Sequence, residues 1–160
     1  MLVPMQLSRI LIREMADMQV IELSETGGTR RFPIVIGLPE AFAIDRRIKG
    51  VQVSRPQTHD LLAETIRALG GTLRAIHIHD LESGTFFARL LIERDGETVE
   101  VDSRPSDAIA LGVADGVPIL VEEHVLEEAS SDAAVEPPPE FDVEDPSDDA
   151  VERHEGEEPE

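Results

Sequence analysis

The sequence predicts an α+β fold: an antiparallel or mixed sheet built from β-hairpins, with about three packed helices, in a single domain. Two turn signals, Gly27-Gly28 and Asp95-Gly96, each lie between runs in which apolar and polar residues alternate. Apolar residues also recur at helical spacing in three segments bounded by Pro or Gly. Beyond residue 128 prolines and carboxylates take over, so the domain is placed at residues 1–128 and a disordered acidic tail at 129–160.

The first hairpin joins residues 18–25 to residues 30–36. A tight turn at Gly27-Gly28 pairs Glu25 with Arg30, Leu23 with Phe32 and Ile21 with Ile34, and residues 5–12 form a neighbouring strand. The second hairpin turns at Asp95-Gly96 and sets Ile92 opposite Val99, Leu90 opposite Val101 and Arg89 opposite Asp102. The strand before it, residues 72–80, enters through Glu82-Ser83-Gly84, which suits a three-residue loop with Gly84 left-handed. That register sets Ile76 beside Leu90 and Ile78 beside Ala88. One face of the meander, Ile76, Ile78, Ala88, Leu90, Ile92, Val99 and Val101, is expected in the core. The other carries His77, His79, Phe87, Arg89, Glu100 and Asp102.

The first helix starts at Pro39 and stops at Gly50, with Ala41, Ile44 and Ile48 as its buried stripe. The second begins near Thr58 and ends at Gly70-Gly71, with Leu62, Ile66 and Leu69 facing inward. The third opens at Pro105, ends before Asp115-Gly116 and is apolar almost all round, so it should be largely buried. A strand at 118–122 and a short helical end close the domain.

The net charge of −20 is uneven. Residues 129–160 hold 13 acids against the single base Arg153. A chain so acidic has no overall attraction for a phosphate backbone, so any nucleic-acid role needs a local basic patch or a bound cation. There is no cysteine, which excludes disulfides and cysteine metal sites and fits a reducing interior. The first residues are broken by Pro4 and turn polar at once, and the apolar run 32–39 is far too short to span a bilayer. A cytoplasmic location away from membranes is expected.

Asp107 is the only charge in the third helix. Either it sits in the first turn, where free N–H groups and the helix dipole favour it, or it is functional. His59 and Asp60 lie at the start of the second helix, where Thr58 would cap. His59 is alternatively a general base or metal ligand. Asp102 and Arg89, with His77 beyond, form either a surface ion pair or a row able to hold a phosphate or cation. Arg46, Arg47 and Lys49, with Arg55 soon after, make the densest basic patch, either a solvated helix face or a phosphate-contacting edge. No glycine-rich phosphate loop, zinc-spaced histidine pair, nucleophile elbow, Trp or Tyr is present.

In order along the chain stand Phe32-Pro-Ile-Val-Ile-Gly37, Ala43-Ile-Asp-Arg-Arg47, Arg55-Pro-Gln-Thr-His-Asp-Leu61, Gly84-Thr-Phe-Phe-Ala88 and Val101-Asp-Ser-Arg-Pro-Ser-Asp-Ala-Ile-Ala-Leu111. In these strings the sequence resembles the bifunctional nuclease domain family over about residues 5–126. The resemblance implies hydrolysis of phosphodiester bonds in DNA and RNA. With it, His59, Asp60, Asp102 and Asp107 become candidate catalytic residues. Asp60, Asp102 and Asp107 would hold a divalent cation such as Mg or Mn, and His59 would be the base. Arg46, Arg47, Arg55 and Arg104 would position phosphate oxygens. Nucleic acid is the expected partner and a homo-oligomer the expected assembly. The rival reading is a non-catalytic oligomeric scaffold or regulatory module in which the same residues are caps and ion pairs. A small-molecule binding domain is a third, with nothing specific in its favour.

Overall fold

The computed structural model describes residues 1–133, which fold as a mixed seven-stranded sheet with four helices. The strands are β1 (Leu2–Leu11), β2 (Met18–Glu25), β3 (Arg31–Gly37), β4 (Thr72–Glu82), β5 (Thr85–Arg94), β6 (Glu97–Ser103) and β7 (Ile119–Glu122). The helices are α1 (Leu38–Ile48) and α2 (Thr58–Ala68) between β3 and β4, α3 (Pro105–Gly112) after β6, and α4 (Glu123–Ala133) at the end. The spatial order is β3-β2-β1-β7-β4-β5-β6. Strand β7 lies antiparallel to β1 and parallel to β4, so this late strand joins the two hairpin blocks into one sheet.

Both hairpins have the registers that their apolar patterns require. Leu23 pairs with Phe32 and Ile21 with Ile34, while Ile92 pairs with Val99, Leu90 with Val101 and Arg89 with Asp102. Asp95 and Gly96 both take positive φ, 52° and 80°, the geometry of a two-residue hairpin turn. The β4–β5 connection departs from the three-residue loop expected. Glu82 pairs with Thr85 across a two-residue turn in which Ser83 and Gly84 have φ of 50° and 81°. A bulge between Ile78 and Asp80 then absorbs one residue, so Ile78 still meets Ala88 and Ile76 still meets Leu90. The core face tolerates no slip, and the bulge restores what the shorter turn shifts.

One core joins buried residues of β1–β5, β7 and all four helices, with Phe32, Ile21, Leu23, Ile44, Ile76, Ile78, Ile109 and Leu126 fully enclosed. Burying each such side chain contributes about 1.5–3 kcal/mol. Helix α3 is buried from Pro105 to Gly112 except at Asp107, as its composition requires. Helix α4 makes the helix count four rather than about three. It continues past residue 128 because Val125, Leu126 and Ala129 form a buried stripe.

Five expected core positions, on β6, α1 and α2, are corrected. Val99 and Val101 point to the helix side of the sheet but remain 45% and 41% exposed, because β6 is an edge strand that no helix covers. Ile48 lies at the exposed end of α1. On α2 only Ala63 is buried, whereas Leu62 is 43% and Leu69 64% exposed. A periodic stripe identifies the apolar face of a helix, but the neighbouring elements decide how much of it is covered. Here the uncovered stripe of α2 and the uncovered edge of β6 border a groove.

Among the described residues no helix is long and apolar enough to cross a membrane. Of the acidic tail expected at 129–160, residues 129–133 belong to α4 and the remainder lies outside the described residues.

Candidate functional site

The groove, about 1360 Å³, is walled by α1 and α2, floored by β5 and β6, and closed at one end by the start of α3. Gly37 ends β3 in extended geometry, and Leu38-Pro39 start α1 directly, with Pro39 in the first turn where no amide partner is needed. Glu40 then falls in that first turn, facing the groove. A Cβ built at Gly37 would collide with Glu40 Oε2, so the glycine leaves room for this carboxylate. Across the groove, Pro105 starts α3 after Arg104 and sets Asp107 in its first turn.

Four charged or titratable side chains form a continuous row at the closed end. Arg104 Nη2 donates to Glu40 Oε1 at 2.8 Å, and Arg104 Nε donates to Asp107 Oδ2 at 2.7 Å. The other oxygen of Asp107 meets His59 Nε2 at 2.9 Å. Burial pushes the Asp107 carboxyl up, but hydrogen bonds from Arg104 and His59 outweigh it and hold the group below the usual carboxylate range. An ionised Asp107 can only accept, so in the neutral imidazole this contact selects the tautomer with the proton on Nε2 and Nδ1 as the acceptor. Asp107 thus makes no capping bond to α3; its two oxygens meet Arg104 and His59 instead.

A second cluster lies behind the first turn of α2. Asp60 Oδ2 accepts from Arg46 Nη2 at 2.8 Å and from the Gln57 backbone N–H at 3.0 Å, while Oδ1 accepts from Arg47 Nη1 at 2.5 Å. The helix is thus capped through Gln57 and Asp60 rather than Thr58. Burial raises the Asp60 carboxyl, and the Gln57 amide and the two arginines more than reverse it, leaving it low. Arg47 also donates to the carbonyls of Ala110 at 2.6 Å and Leu111 at 3.1 Å. These are orphan acceptors at the end of α3, so Arg47 ties α1, α2 and α3 together.

The sequence-derived candidates are thus distributed unevenly. His59, Asp107 and Arg104 converge in the row, and Arg46 lines the same groove. Asp60 and Arg47 stand behind it in the clamp. Arg55 is exposed in the segment before α2, with no ion pair among the described residues. Asp102 pairs with Arg89 in the sheet register, but the Arg89 guanidinium bonds Glu100 at 2.6 Å instead. His77 shares that face and bonds Glu122 at 3.0 Å. Glu40 escaped sequence reasoning, since an acid in a first turn reads as a dipole-favoured residue. Only the turn of α1 against α3 reveals its partner.

In this arrangement the carboxylates of two of the three residues expected to share a cation, Asp60 and Asp107, are engaged by other side chains. Both oxygens of Asp60 and both of Asp107 already accept hydrogen bonds from arginine or histidine. Among the described residues no three His, Asp or Glu side chains group for a metal.

Comparison with known proteins places this site in context. The model of the bifunctional nuclease domain matches residues 21–134. An uncharacterized protein of Mycobacterium tuberculosis is 43% identical over 120 residues, covering 75% of this chain and 71% of that protein. Bifunctional nuclease 1 of Oryza sativa subsp. japonica is 25% identical over 118 residues, and bifunctional nuclease 1 of Arabidopsis thaliana is 27% identical over 104. These matches cover 71% and 63% of this chain but only 36% and 32% of the plant proteins.

Proposed function

We propose, since the chain belongs to the bifunctional nuclease domain family, that it is a nuclease hydrolysing phosphodiester bonds of DNA and RNA, with His59 as its general base. The observation that carries this reading is the 2.9 Å bond from His59 Nε2 to Asp107 at the closed end of the groove. With Nε2 protonated and held, Nδ1 takes a proton from a water whose oxygen attacks phosphorus. The new P–O bond forms as the bond to the leaving oxygen breaks, and that oxygen is protonated from solvent. Arg104 keeps Asp107 ionised and in place, and Arg46, which bonds Asp60 through Nη2 alone, lines the groove where phosphate oxygens would lie. Arg55 is a further exposed cation for the strand beyond the groove. On this reading Asp60 and Arg47 support the wall, and Asp102 lines the groove.

A metal-assisted variant with Mg or Mn requires Arg104 to leave Glu40 and Asp107. The two routes separate on chelation, which stops cleavage only if a cation replaces that guanidinium. A cytoplasmic nucleic-acid-processing role fits the absence of cysteine. Self-association fits the uncovered edge strand β6, with its half-exposed Val99 and Val101.

The test is cleavage of labelled DNA and RNA by purified protein and by His59→Gln and Asp107→Asn. Loss of a general base lowers the rate about 10²–10⁴-fold. Unchanged cleavage by His59→Gln would overturn the assignment. A wild type that cleaves neither polymer would leave the scaffold reading in its place.

A further inference from the structure

We propose that the apolar half of the groove seats an unstacked nucleobase, so that single-stranded nucleic acid, not duplex, is the ligand of the His59 site. This rests on the nuclease reading above and names its substrate class.

Charge alone does not hold a polyanion here. The groove lining has three cations, Arg46, Lys49 and Arg104, against four carboxylates, Glu40, Asp45, Asp102 and Asp107. Each cation is already paired: Arg46 with Asp60, Lys49 with Asp45 at 2.9 Å, and Arg104 with Asp107 and Glu40. Counterion release, the usual source of affinity for a phosphate backbone, is correspondingly weak. Affinity must come from other surface, and the other surface of this groove is apolar.

That surface begins beside the catalytic row. His59, Leu62 and Ile66 lie at i, i+3 and i+7 on α2 and line one wall. Seven residues of helix rise about 10 Å, comparable with the reach of one nucleotide from its phosphate to the outer edge of its base. Ile92 and Val101 form the floor, and Phe42 of α1 supplies the ring of the opposite wall. Phe42 and Leu62 are each 43% exposed and Val101 41%, so this apolar surface is open to solvent. A phosphate poised at His59 would thus bring its own base against Leu62 and Phe42. A duplex keeps its bases stacked and paired, and it would present only sugar and phosphate to this wall. A single strand can turn a base into it and stack it on an aromatic ring whatever its sequence. A strand and a free nucleotide share this chemistry, a heteroaromatic ring one sugar away from a phosphate.

The experiment measures binding of the full-length protein by fluorescence polarisation. The probes are a phosphorothioate single strand, the same sequence as a hairpin duplex, and a single strand of abasic residues, each across a salt series, with adenosine monophosphate and ribose 5-phosphate as competitors. The intact single strand is expected to bind at least about 10-fold tighter than the duplex or the abasic strand, the loss of one stacked base. Its log–log salt slope should be no steeper than about 2. Phe42→Ala and Leu62→Asn should weaken it about 10-fold and leave the abasic strand unaffected. Both positions are half-exposed, and unchanged melting checks that the variants fold. Competition by adenosine monophosphate but not ribose 5-phosphate assigns the pocket to the base; adenosine monophosphate matching the intact strand makes the free nucleotide its ligand. Equal binding of strand, duplex and abasic probe overturns the pocket, as does failure to bind any of them. So does a Phe42→Ala variant that dissociates an oligomer without altering preference, which would give this face to a second copy of the chain. Preference for the strand without cleavage keeps the pocket and removes the nuclease. Equal cleavage of strand and duplex keeps the nuclease and removes the pocket.

Discussion

Glu40 of α1 and Asp107 of α3 grip the same guanidinium: Arg104 reaches the first with Nη2 at 2.8 Å and the second with Nε at 2.7 Å. Asp107 in turn holds His59, so the orientation of a histidine on α2 depends on a carboxylate 19 residues upstream on α1. Glu40 is well covered, at 14% side-chain exposure, while Arg104 is open to solvent at 64%. The bridge is therefore partly screened, and its value is geometric more than energetic.

Glu40→Gln should accordingly leave stability within about 1 kcal/mol of wild type while slowing cleavage. Arg104→Lys should slow it more, since an ammonium cannot bond both carboxylates in the planar fork geometry. The readout separating positioning from mere packing is the nitrogen NMR signature of His59. Both variants should lower the fraction of the Nε2-protonated form, and an unchanged tautomer would refute the relay.

The Asp60 clamp should behave differently. Asp60, Arg46 and Arg47 have side-chain exposures of only 17%, 16% and 10%. Asp60→Ala leaves two largely buried guanidiniums without their anion and frees the amide of Gln57, so it should cost about 3 kcal/mol. Arg67→Ala, at a half-exposed arginine paired with Glu64 and Asp115, should cost under about 1 kcal/mol. Urea unfolding of the two variants checks the contrast, and similar losses would contradict it.

Acid sensitivity follows from the same groups. Asp60 and Asp107 are both held below the usual carboxylate range in the folded protein. A depressed folded value means the unfolded chain binds the proton more tightly. Their stabilisation is therefore complete above the ordinary aspartate value of about 3.9 and is lost as pH falls below it through the folded values. Melting temperature should drop steeply below about pH 4 in the wild type and less steeply in Asp60→Asn. Parallel curves for the two proteins would show that Asp60 does not contribute.

The acidic C-terminal segment offers a fourth test. Ala129 is 5% exposed in the core, so truncation after Glu128 should destabilise the domain, while truncation after Ala133 should leave folding intact. We propose that the acids beyond Ala133 compete with nucleic acid for the groove end at high effective concentration. The shorter protein should then bind the single strand more tightly at low salt than the full chain, with the difference shrinking as salt rises. Equal affinity at every salt concentration would make the segment a solubilising appendage.

The local alternation of apolar and polar residues was enough to determine both hairpins and their registers, because a slip of one residue would invert every side chain of Ile76, Leu90 or Leu23 at once. The buried third helix was equally legible, since an apolar segment opened by Pro105 has nowhere to lie but the core. Candidate chemistry at His59 and Asp107 was visible as residue types. Their pairing was not, because 48 residues separate them and no periodicity links one helix start to another. Tertiary structure alone decided that Leu62, Leu69, Val99 and Val101, apolar by pattern, would stay partly exposed, since coverage depends on which neighbour is absent. It also decided that Arg47 ends in a clamp on α3 and that Glu40 reaches Arg104, because the direction of a long side chain is fixed by the packing of the helix beneath it and not by its place in the chain.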